Sequence, residues 1–122
     1  MLSHIFSALT DHLSRLTLPV YLADCVPEGA AFPYITTEIA APLTPASAGS
    51  LTLTVWSRSS SAHSERLAKL DALHRLLPPR GAWLAAETGT ITLTGDGPVR
   101  CVQDGVLLGA QSRWTLRFFP SM

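Results

Sequence analysis

The sequence predicts an α+β fold in a single domain over residues 1–122: a mostly antiparallel four- to five-stranded sheet with two amphipathic helices packed on one face. Three observations carry that prediction. Residues 106–119 alternate, with Val106, Leu108, Ala110, Trp114, Leu116 and Phe118 on one side and Gln111, Arg113, Thr115 and Arg117 on the other. Period two is what a strand with one buried face requires, because successive side chains point to opposite faces. Two other stretches, near each end of the first two thirds of the chain, repeat apolar residues at steps of three and four, the spacing of a helix stripe. Turn residues cut what remains into short alternating runs.

In chain order, the first helix is defined by Leu2, Ile5, Phe6, Leu9, Leu13 and Leu16, with Ser3 as a candidate cap. It must stop before Pro19, which pushes Leu18 toward extended geometry. Residues 19–24 read as a short strand or edge segment, and 25–32 as a loop. A second strand follows, with Ile35 and Ile39 on one side and Tyr34, Thr36 and Glu38 on the other. Residues 41–50, rich in Pro, Ala and Ser, read as a flexible loop or long hairpin tip. Leu51, Leu53 and Val55 alternate with Thr52, Thr54 and Trp56 in a third strand ending at Ser57.

The serine-rich run 57–64 offers caps for a second helix, carried by Leu67, Leu70, Leu73, His74 and Leu77. On it Glu65/Lys69 and Asp71/Arg75 sit one turn apart in the favourable order, and Pro78-Pro79 ends it. A connector containing Trp83 leads to residues 89–94, where Ile91 and Leu93 point inward and Thr90, Thr92 and Thr94 outward. Gly95-Asp96-Gly97-Pro98 is expected to turn the chain, 99–103 to form a short strand, and Asp104-Gly105 to open a hairpin into the final run. At about 3.3 Å per residue that run would extend about 45 Å, so a bend is expected at Gly109 or Ser112. Ser112 and Leu107 are the two residues that break its alternation.

Composition narrows function mainly by exclusion. Nine basic and nine acidic residues, in a chain only 15% charged, lack the basic surface that strong sequence-independent nucleic-acid binding needs. A hydrophobic fraction of 47% in so small a chain fits either a dense core or apolar surface covered by partners or sister copies. Cys25 and Cys101 stand alone with no continuous apolar leader ahead of them, which fits free thiols in a reducing, intracellular setting. No apolar run approaches the roughly 20 residues that span a bilayer, so no membrane is expected.

Catalysis leaves no mark. The glycines of residues 89–97 lack the Lys-Ser/Thr of a phosphate loop, and no Gly-x-Ser-x-Gly elbow is present. His4 and His12 lie about two turns apart on the first helix, too far to chelate one ion by themselves. The expectation is a non-enzyme with no catalytic, cofactor-binding or metal-binding residues. The outward positions collect Tyr34, Thr36, Glu38, Thr52, Thr54, Trp56, Thr90, Thr92, Thr94, Arg113, Thr115 and Arg117. Such a face is either an ordinary solvated threonine-rich sheet or a contact surface marked by its aromatics and arginines.

One resemblance extends over most of the chain. A short strand, then Val26-Pro27-Glu28-Gly29-Ala30-Ala31-Phe32-Pro33-Tyr34-Ile35, a strand closing on Val55-Trp56-Ser57-Arg58, and a helix from Ser64-Glu65 to Leu77 resemble the tail-completion (tail terminator, tail-to-head joining) proteins of long-tailed bacteriophages, prophages and gene transfer agents. The Asp104-Gly105 turn and the Trp114-Thr115-Leu116-Arg117-Phe118 strand fit as well, while residues 41–50 and 78–79 match no pattern. The resemblance implies a structural virion protein, assembled in the host cytoplasm into a ring, typically a hexamer. That ring caps the head-proximal end of the tail tube, ends tube polymerisation and joins the tail to the neck and head. Implied partners are sister copies, the tail tube protein, a neck or head-completion protein and the tape measure protein. DNA would pass the lumen without specific binding, which suits a neutral chain.

Ring subunits meet head to tail, so two different patches must match. Expected contact residues are Tyr34, Thr54, Trp56, Thr92, Arg113 and Arg117, with the 41–50 loop facing tube or neck. The rival readings are a stand-alone small ligand-binding or regulatory α+β domain, with its pocket between sheet and helices, and a small enzyme of unrecognised motif.

Overall fold

A computed structural model describes residues 2–40, 44, 47–58 and 63–121. Helix α1 (Leu2–Leu13) runs into a 3-10 turn (Ser14–Leu16), which Thr17 ends in the left-handed region, φ 57°. Strands β1 (Val20–Leu22), β2 (Tyr34–Ala40) and β3 (Gly49–Ser57) precede helix α2 (His63–Leu76). Strands β4 (Ala82–Ala86), β5 (Gly89–Gly95), β6 (Arg100–Asp104) and β7 (Leu107–Pro120) complete the chain. Half of the loop expected at 41–50 and half of the serine run 57–64 expected to cap α2 lie outside the described residues; β3 begins within the former, at Gly49.

The class is α+β, but the sheet has seven strands rather than four or five, in the order β1-β2-β3-β7-β5-β4, with β6 also on β7. It is mixed: β1 lies parallel to β2, Val20 opposite Ile35, whereas every other pair is antiparallel. Alternation tells which face a residue takes and carries no information on strand direction, so the parallel edge left no trace in the sequence. The segment around Trp83 is an edge strand, not a connector. Its alanines at 82, 85 and 86 carry little β-propensity, which hid it.

Residues 96–99 do not reverse the chain. Gly95 faces Trp114 and Arg100 faces Gln111, so β5 and β6 follow one another along the same edge of β7, interrupted by a bulge. The Asp96 N–H keeps that edge tied by donating to the Arg113 carbonyl at 2.8 Å. The hairpin at 104–107 does form, with Gly105 supplying the positive φ of 60° at the first loop position.

β7 is the spine. Its pairing with β3 runs without a break from Leu108 to Leu116, so neither Gly109 nor Ser112 interrupts it. Ser112 obeys the alternation after all: it is buried on the core side opposite Leu53, and its hydroxyl accepts from Trp114 Nε1 at 3.1 Å. The core is one continuous cluster holding Ile5, Leu9 and Leu13 of α1, Leu70 and Leu73 of α2, and Ile35, Leu51, Leu53, Val55, Ile91, Leu93, Trp114, Leu116 and Phe118 of the strands. Two polar ties fix the helix ends. His12 Nε2 donates to the Leu76 carbonyl at 2.8 Å, and buried Arg66 donates from Nη1 to Ser57 Oγ at 2.6 Å, fastening the start of α2 to the end of β3.

Candidate interaction surface

The face of the sheet turned away from this core is built of cross-strand rows along β7. From its N-terminal end they are Tyr34–Trp56–Gly109, Thr36–Thr54–Gln111, Glu38–Thr52–Arg113, Ser50–Thr115–Thr94, Trp83–Thr92–Arg117 and Ala85–Thr90–Phe119. Each strand contributes alternate residues, which is why threonines separated by leucines and isoleucines in sequence line up here.

The first two rows are closed within the chain. Trp56 Nε1 donates to Thr36 Oγ1 at 2.8 Å, and Gln111 Nε2 donates to Thr54 Oγ1 at 3.3 Å. The Trp56 ring lies against Gly109, where a Cβ would stand 2.9 Å from Trp56 Cε3 and 2.7 Å from Thr54 Cγ2. Glycine is therefore required by close approach. Tyr34 meets Tyr21 edge-on at 5.7 Å and Phe32 at 5.0 Å, and the Arg58 guanidinium sits 5.4 Å from the Phe32 ring centre. Burial, with a smaller push from the Asp104 carboxylate, raises the Tyr34 phenol above its ordinary value. That β6 carboxylate reaches β2 because the sheet curls, and the 26–33 loop and the hairpin tip Val106-Leu107 line one groove of about 460 Å³ beside Phe32 and Arg58.

The last two rows are open. Trp83 is 76% exposed and Phe119 50%, on adjacent rows with Arg117. Of the six residues singled out from sequence, Tyr34, Trp56 and Thr54 are brought together in the closed rows, where Tyr34 and Thr54 are buried and Trp56 is half-buried. Thr92 and Arg117 stand opposite one another in an open row, and Arg113 is exposed midway between the two ends. Sequence reasoning missed Trp83, Phe119, Phe32 and Val106 as surface residues. An exposed aromatic out of phase with the buried Ala82 and Leu84 was the available signal for Trp83. Among the described residues no three His, Cys, Asp or Glu side chains gather as a metal site, and no helix is long and apolar enough to cross a membrane.

The architecture defines a small α+β domain with a curled, mixed sheet. No family model and no curated protein matches the chain. Three solved chains are similar in structure. One of them, whose name states no activity, aligns over 99% of this chain and 99% of its own length with a TM-score of 0.61 and 16% sequence identity. At that identity the likeness establishes the shared fold alone.

Proposed function

We propose that this chain is a tail terminator: a subunit of a ring that caps the head-proximal end of a phage-type tail tube, stops its growth and joins it to the neck. In this reading both helices cover one face of the sheet, and sister copies complete the other. The observation that carries it is the placement of exposed apolar side chains at the two ends of β7. Trp83 and Phe119 stand at one end, and Phe32 and Val106 (71% exposed) at the other. Head-to-tail rings need two unlike patches per subunit, and the two ends of β7 carry exposed apolar side chains in different settings, an open sheet face and a groove. The partners are sister copies, the tube protein, a neck protein and the tape measure protein.

The test is loss of the gene from a phage or prophage that carries it. Micrographs should show tubes of uncontrolled length, or finished tails that fail to join heads; ordinary virions would end the proposal. The groove of about 460 Å³ is large enough for a small molecule, which favours a ligand-binding module as the second reading. A strict monomer that binds a small molecule there, with tails unaffected by its loss, would select that alternative.

A further inference from the structure

We infer that the start of α2 is a binding site for a small oxyanion of the phosphate class, held by the guanidinium of Arg66 together with the first N–H groups of the helix. The site uses neither end of the outer sheet face, so it stands apart from the ring reading. Arg66 follows His63, the first residue of the 14-residue α2, by three positions. Its side chain runs back toward the helix start, as long side chains on helices do. There it is 4% exposed. Nη1 donates to Ser57 Oγ at 2.6 Å and Nη2 to His63 Nδ1 at 2.7 Å, so the guanidinium is held between the last residue of β3 and the first residue of α2.

Neither of those partners offsets its charge. One is a hydroxyl, and the other is an imidazole whose Nδ1 must be the acceptor, because a guanidinium has only donors. Buried Nε donates to nothing among the described residues, and no carboxylate there forms an ion pair with Arg66. Glu65, its neighbour in sequence, is exposed, and Arg58 is turned to the ring of Phe32, 5.4 Å from its centre. An arginine keeps its charge in a folded protein, and buried charges are ordinarily paired. The helix adds to the same demand. Its first N–H groups have no intrahelical acceptor, and its positive end favours an anion. A buried cation with an unused donor and a helix start thus meet at one place, and both are answered by anionic oxygens. A phosphate group suits them better than a carboxylate, because donors from a side chain and from a helix end converge from different directions on oxygens that diverge tetrahedrally.

Inorganic phosphate, titrated at constant ionic strength against sodium chloride, is the probe. The Arg66 Nε–H resonance, followed by nitrogen-edited NMR of the parent protein, should shift and saturate as phosphate is added. The thermal midpoint should rise by about 5 °C at a tenfold excess over the dissociation constant. Arg66→Met keeps the apolar stem and removes the charge, so its midpoint should not respond to phosphate. Arg75→Gln, which removes an exposed cation near the other end of α2, should respond as the parent does. An Nε–H signal unmoved by phosphate would overturn the site without recourse to any variant. A midpoint rise of equal size in the parent and in Arg66→Met would overturn it too, since the anion would then be acting elsewhere on the surface.

Discussion

The two ends of the sheet's outer face are made of the same residue types and behave differently. At the N-terminal end of β7, Trp56, Thr36, Thr54 and Gln111 satisfy one another, and Trp56 covers Gly109. At the C-terminal end Trp83 keeps 76% of its surface in solvent and Phe119 50%, and Thr92 between their strands is half-exposed. Tryptophan and threonine on an outward parity thus mean packing in one place and available surface in the other. The difference lies in the neighbours: β2, β3 and β7 supply donors and acceptors to one another at the first end, and Gly109 leaves room for the Trp56 ring.

The sharpest way to break that comparison is to place the same substitution at both ends. Thr54 is 3% exposed, so Thr54→Arg puts a guanidinium with no partner into a packed site and should cost about 3 kcal/mol or more. Thr92→Arg, at the half-exposed position opposite Arg117, should change stability by about 0.5 kcal/mol or less while impairing self-association. Chemical denaturation reads the first effect and solution mass the second. Equal stability losses would mean that the two ends are alike. Gly109→Ala comes next: its Cβ would overlap Trp56 and Thr54, for a loss of about 1–3 kcal/mol in the same assay. Trp56→Phe removes both the Nε1 bond to Thr36 and part of the fused ring whose Cε3 and Cζ3 lie beside Gly109, so a loss of about 1–2 kcal/mol is expected in the same assay. A loss below about 0.5 kcal/mol would mean that the indole does not close this end.

Local sequence could not have separated the two ends. Residues 51–55 read Leu-Thr-Leu-Thr-Val and residues 90–94 read Thr-Ile-Thr-Leu-Thr, so Thr54 and Thr92 occupy nearly identical patterns. Their different exposure is set by strands that approach from far along the chain. What the pattern did reveal was the helices, the inward faces of β3 and β5, that of β7 from Ala110 to Phe118, and the hairpin at Gly105; Val106, which parity puts inward, is 71% exposed at the hairpin tip. The pattern left hidden what depends on pairing partners. The parallel β1, the alanine-rich β4 and the bulge at 96–99 are matters of which edge meets which. Ser112 and Arg66 escaped for another reason. Each looks polar in sequence, and each is buried because a hydrogen-bond partner, Trp114 for one and Ser57 for the other, waits for it in the fold.

The reverse side of β7 supplies the smallest and most specific probe. His74 on α2 meets the Trp114 ring edge-on at 5.8 Å, and its buried Nε2 has no hydrogen-bond partner among the described residues. Burial disfavours the imidazolium and lowers the His74 pKa from the ordinary value of about 6.5, opposed in part by the charge of Asp71. A lowered folded-state pKa means that the unfolded chain binds this proton more tightly. The resulting stability is complete above about pH 6.5 and declines as pH falls from there through the folded-state value. Because the ring is only half-buried, solvent screening keeps the effect modest. The quantity to measure is the difference between the parent protein and His74→Leu in denaturation midpoints from about pH 8 to about pH 5.5. The parent should lose stability faster than the variant below pH 6.5 and match its slope above. Parallel curves over the whole range would mean that the imidazole reaches water at Trp114 and that this side of the strand is not sealed.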